Sequence, residues 1–153
     1  VLDAAGATGL KAVYGAALPD WYLRELCITP LVGATLRYIA IPRVPGNSPE
    51  HARTLLSRQV VWDIEWMDAN AALWESQSTP GIVAMQFGYL PVGTCCTGSG
   101  NPFFVRFAES DDPPLVQMFH DGVSEVHGMN EKSMWIVAPS LSEFFSEAQV
   151  LAR

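Results

Sequence analysis

The sequence predicts a single α+β domain over residues 1–153, with a central, mainly antiparallel sheet packed with helices and a C-terminal helix docked on the core. Three observations carry this. Strand-like runs in the second half follow one another across short polar connections, as antiparallel pairing requires. Capped helical stripes stand near both ends of the chain. Hydrophobic residues make up 49% of the chain and charged residues 16%, enough apolar material for one sizeable core. A domain of 153 residues buries roughly 70% of its unfolded surface and needs neither disulfide nor metal to fold.

Residues 1–15, rich in Ala and Gly, suit a loose first helix. Leu18-Pro19-Asp20 starts a second, because Pro is tolerated where a first-turn N–H has no helical partner. Leu18, Tyr22 and Leu26 share its inner face at i, i+4, i+8, and Pro30 lies beyond its end. Thr35–Ile41 is β-branched and aromatic, a strand broken by Pro42, Pro45, Gly46 and Asn47. Ser48-Pro49-Glu50 opens a short helix through Arg58, with Ser48 as its cap.

Residues 60–67 satisfy two periods. Trp62, Ile64 and Trp66 alternate with Asp63 and Glu65, whereas Trp62, Trp66, Ala69 and Leu73 form a helical stripe. The expectation is a strand near 60–65 and a helix near 68–77 capped by Asp68. Ile82–Met85 and Tyr89–Val92 read as extended, with Gly88 as a bulge. Gly93–Pro102 reads as a Gly-rich turn, Phe103–Ala108 as a strand, Glu109–Pro114 as an acidic turn and Leu115–His120 as a strand. Residues 121–132 form a polar loop, and Met134–Val137 a last strand. Ser140-Leu141-Ser142-Glu143 is a capping box ahead of the apolar stripe Leu141, Phe144, Phe145 and Ala148.

Sixteen acidic and nine basic residues give a net charge of −7, which disfavours a phosphate backbone and favours a basic partner. No apolar run approaches the length of a membrane span. Val1–Ala17 lacks the basic start and long apolar stretch of a signal peptide. Cys27, Cys95 and Cys96 are no disulfide framework, so the expected setting is reducing and cytoplasmic.

The candidate chemical groups are few. His120-Asp121 resembles a general-base pair, yet neighbours in a strand point to opposite faces and no nucleophile stands nearby in sequence. Cys95, Cys96, His120 and His127 lack the CxxC-like spacing that aims two sulfurs at one zinc ion. Residues 93–100 lack the GK[ST] ending of a phosphate loop, and a strand follows them. The expectation is therefore no catalytic residue, no metal and no cofactor. Trp62, Trp66, Trp74 and Trp135 are core candidates, with one of the four expected at the surface as a binding anchor. The acids Asp111, Asp112, Asp121, Glu125 and Glu131 are the candidate partner contacts.

Five segments, in order, resemble the SUKH superfamily of fungal cell-wall-assembly regulators and bacterial immunity proteins. Leu18–Leu26 looks like its "LP-acid-aromatic" helix, and Gly88-Tyr89-Leu90-Pro91-Val92-Gly93 like its "piG" strand end. Residues 98–104 resemble its Gly-containing turn, with Asn101 where an acidic residue is frequent. Residues 114–121 resemble the next strand, and residues 137–145 the closing "ia-S-l-seFl" element. The resemblance covers residues 18–30 and about 80–147; residues 31–79 match poorly. It implies an α+β domain without enzymatic activity that binds proteins, most commonly as the cytoplasmic antidote to a bacterial polymorphic toxin. Many such toxins are nucleases with basic surfaces, which the charge of this chain suits. The alternatives are a scaffold module like the fungal members and a small-molecule-binding domain.

Overall fold

A computed structural model describes residues 2–15, 18–29, 31–43, 58–124, 126, 128–129 and 133–152. The first helix, α1 (Ala4–Tyr14), is capped by Asp3, whose Oδ1 accepts the Gly6 N–H at 2.7 Å. It ends at Gly15, whose φ of 73° suits a residue without Cβ. Helix α2 (Asp20–Ile28) buries Tyr22, Leu23 and Leu26, with Leu18 packed at the edge of the same core.

The residues that suited both a strand and a helix divide as the alternation indicates. Strand β1 (Thr35–Ala40) pairs antiparallel with β2 (Val60–Trp66), Tyr38 opposite Trp62 and Arg37 opposite Asp63. Trp62, Ile64 and Trp66 point inward, while Val61 and Glu65 are exposed. On the outer face, Arg37 Nε and an Nη donate to the two Asp63 oxygens at 2.8 and 2.9 Å. That pairing holds the Asp63 carboxyl below its ordinary range. Helix α3 (Ala69–Ser76) follows, with Asp68 Oδ1 accepting the Ala71 N–H at 2.8 Å. Of the helix expected from Ser48-Pro49-Glu50 through Arg58, residues 48–57 lie outside the described residues, and Arg58 itself is not helical.

The structure corrects the extended assignment of Ile82–Met85. Gly81–Gln86 is a helix, α4, with Pro80 at its N-cap. The β-branched Ile82 and Val83 suggested a strand, but α4 buries Val83 and Ala84, and Ala84 packs against Phe104, Val116, Met118 and Met134. Tertiary burial overrides local propensity here. Gly88 is not a bulge. Its φ of 84° turns the chain between α4 and the next strand, and the ladder irregularity falls at Pro91/Gly93 instead.

The strands β3 (Leu90–Cys95), β4 (Phe103–Val105), β5 (Leu115–Met118) and β6 (Met134–Ala138) form the expected antiparallel meander. Their ends differ from expectation. β3 continues through Gly93 to Cys95, because Gly93 lets the strand approach β2; a Cβ there would lie 2.5 Å from Ile64 Cγ2. β4 stops at Val105 and β5 at Met118, and His120–Gly122 forms a 3-10 turn rather than the end of a strand. Helix α5 (Leu141–Glu147) begins as the capping sequence implies, Ser140 Oγ accepting the Glu143 N–H at 3.2 Å. A strand that the sequence did not announce, β7 (Gln149–Ala152), returns to pair with β1.

The seven strands run β6-β5-β4-β3-β2-β1-β7, antiparallel throughout. The sheet curls: Arg43, just beyond β1, exchanges both backbone hydrogen bonds with Ile136 of β6, at 3.0 and 2.7 Å. The main core lies on one face, where α1, α2, α3 and α5 contribute to it together with Trp62, Trp66, Phe103 and Val105. Phe144 of α5 stacks on Trp66 and Phe145 meets the same ring edge-on; Trp66 Nε1 donates to Tyr22 Oη at 3.0 Å. A smaller cluster fills the opposite face of β4–β6 under α4. Among the described residues no helix is long and apolar enough to cross a membrane.

Candidate functional site

Of the five acids expected to face a partner, the structure describes three, Asp111, Asp112 and Asp121. Asp111 is exposed, and its carbonyl accepts the Trp21 Nε1–H at 2.7 Å. Asp112 is half-buried and structural: its carboxylate accepts the Ser142 N–H at 2.9 Å and the Ser142 hydroxyl, satisfying donors in the first turn of α5. Asp121 is 90% exposed and lies 3.0 Å from His120 Nε2. Glu125 and Glu131 lie outside the described residues, as does His127.

His120 and Asp121 meet because they occupy a 3-10 turn, where neighbouring side chains are not forced apart as they are in a strand. The other ring nitrogen, Nδ1, lies 2.7 Å from Asn101 Oδ1, which also accepts the His120 backbone N–H at 2.9 Å. Both imidazole nitrogens are thus engaged, and the ring ties the β3–β4 turn to the turn after β5. Gly100 allows this approach, since a Cβ there would stand 3.3 Å from Nδ1.

Asn101 belongs to a second feature, absent from the sequence expectations. A cleft of about 420 Å³ opens between α3 and the β3–β4 turn. Met67, Ala71 and Pro102 give it apolar walls, and Thr79, Thr94 and Asn101 line it with neutral polar groups. Trp74, the exposed tryptophan among the four candidates, stands at its edge with 69% of its surface free. Glu75, the next residue, is only 6% exposed and lines the same cleft. Burial pushes its carboxyl up from 4.5 to about 7. The cleft has the volume of a small-ligand site.

Cys95 also lines the cleft. Burial raises its thiol, but hydrogen bonds from Ser99 and Thr97 outweigh this and hold it below the ordinary value; Thr97 Oγ1 is 2.9 Å from Sγ. Among the described residues no histidine or carboxylate hydrogen-bonds this sulfur, so no nucleophile–base pair is assembled around it. Cys96 turns away, toward Thr35. Among the described residues no group of three or more His, Cys, Asp or Glu is gathered as a metal site would need.

The sequence signal for the cleft was slight. Trp74 falls off the Trp62-Trp66-Ala69-Leu73 stripe, which marks it as the tryptophan least committed to the core. A glutamate on a short helix, by contrast, reads as a solvated charge. Comparison of the chain with protein-family models, curated proteins and solved structures gave no match.

Proposed function

We propose that this chain is a non-enzymatic protein-binding domain of the SUKH type, acting as an immunity protein that binds and neutralises a basic bacterial toxin in the cytoplasm. The observation that carries the proposal is Trp74, a large ring left 69% exposed at the edge of a cleft, in a chain of net charge −7. Tryptophan supplies interface anchors because it buries much apolar area at little entropic loss. The acidic balance adds the long-range attraction that speeds encounter with a basic partner. The order of the five SUKH-like segments supports the same reading.

Co-expression tests it. The chain is expected to restore growth to cells making the toxin encoded beside it, and Trp74→Ala to weaken that protection. A chain that neither binds nor protects against the neighbouring gene product refutes the immunity role. The cleft volume favours a second reading, a small-molecule-binding domain. Saturable binding of a metabolite-sized ligand without any protein partner would select it.

A further inference from the structure

Among the described residues, Glu75 is the single acidic or basic side chain in the lining of the α3/β3–β4 cleft. Among the described residues its carboxyl has no hydrogen-bond or ion-pair partner, and burial alone accounts for its shifted titration. No side-chain oxygen or nitrogen among them is both sealed from solvent and unpartnered, so the Glu75 oxygens keep contact with solvent, and the residue lines the cleft. A carboxylate largely withdrawn from water and without a partner is destabilised, and a cation placed against it relieves that penalty. Trp74 offers an electron-rich ring beside it, and Met67, Ala71 and Pro102 offer apolar walls. An anion is repelled by this lining, and a purely apolar ligand leaves the carboxyl unpaired.

We propose that the cleft binds an alkyl cation, an ammonium or guanidinium on a short aliphatic stem, with Glu75 as counter-ion, Trp74 as the aromatic face and the apolar walls around the stem. The cation is the lysine or arginine side chain of a polypeptide. That source rests on the proposed function, whereas the site itself rests on the cleft.

The proposal predicts a pH profile. Glu75 must ionise to pair, so binding strengthens as pH rises toward and past 7. Titratable groups on the elements packed around α3 are Lys11 and Tyr14 of α1 and Cys95 of β3; α4 carries none, and Asp68 caps α3 itself. Lys11 is exposed, and Tyr14 is buried with its hydroxyl donated to the Pro91 carbonyl. Cys95, its thiol held, despite burial, below its ordinary value by hydrogen bonds from Ser99 and Thr97, is the other titratable group in the lining, and a variant controls for it.

The test is a titration of the ¹⁵N-labelled chain with Nα-acetyl-arginine methylamide, following the Trp74 indole resonance, assigned through Trp74→Phe. Saturable shifts are expected there, with affinity rising about thirtyfold between about pH 5.5 and about pH 8.5 for a carboxyl titrating at 7. The neutral citrulline analogue should bind at least about tenfold more weakly at the upper pH. Glu75→Gln should flatten the profile, Cys95→Ser should leave it intact, and Trp74→Ala should weaken binding about fivefold. Should Glu75→Gln fold poorly, the wild-type profile alone decides. A flat wild-type profile, equal binding of the citrulline analogue, or shifts confined to other surfaces overturns the site. Butylguanidinium binding more tightly than capped arginine overturns the polypeptide source. Failure of this titration beside intact toxin binding refutes the cleft assignment alone; a working cation site without a toxin partner refutes the immunity role alone.

Discussion

Glu75→Gln separates the charge of the cleft carboxyl from its shape. The side chain is 6% exposed, and burial raises its carboxyl from 4.5 to about 7. Its folded value therefore exceeds its unfolded value, so the folded state holds the proton more tightly. The stabilisation this gives is fully present below about 4.5, is lost as pH rises through 7, and stays absent above. At 1.36 kcal/mol per pH unit, the whole span from 4.5 to 7 is worth at most about 3.4 kcal/mol, an upper bound because the carboxyl oxygens keep solvent contact. Between about pH 5 and about pH 8.5 the loss is about 2.5 kcal/mol. The amide of Gln has the same shape and does not titrate. Urea unfolding of both proteins across this range isolates the term, because every other titrating group cancels in the difference. The variant should gain about 2.5 kcal/mol on the wild type as pH rises. Parallel stability–pH curves would refute the claim that this carboxyl is buried without a partner.

Three further outcomes follow from the packing and the charges. Phe144 is wholly buried against Tyr38, Trp66 and Phe145, so Phe144→Ala should lower unfolding free energy by about 3–5 kcal/mol; a loss below about 1 kcal/mol would contradict the core role of α5. Asp112→Ala removes the acceptor for the Ser142 N–H and should cost about 1 kcal/mol of stability while leaving partner association nearly unchanged, measured by denaturation and stopped-flow mixing. Neutralising the exposed Asp111 and Asp121 together should slow association with a basic toxin and reduce its salt dependence, with dissociation less affected; an association rate indifferent to salt would count against steering.

The α+β class, the Leu18-Tyr22-Leu26 face, the Asp68 and Ser140 caps, the inward alternation of Trp62, Ile64 and Trp66, and the antiparallel meander are all legible in the linear chain. Each is written within a few neighbouring residues, as a period or a cap, and needs no knowledge of distant chain. Other features depend on contacts between distant segments. Gly81–Gln86 is helical because Val83 and Ala84 are buried together, with Ala84 in the cluster beneath Phe104 and Met118. β7 exists because α5 delivers the chain to the free edge of β1, a place no local pattern specifies. Asp112 is a cap and not a free surface acid because residue 142 folds back onto it. The cleft is the plainest case: Trp74 and Glu75 come from one helix, Thr94, Cys95 and Asn101 from a hairpin about twenty residues later. Long-range closure brings these groups together, and Glu75 is left only 6% exposed among them. A side chain's solvation depends on what folds over it, and that is a property of the assembled chain rather than of its local sequence.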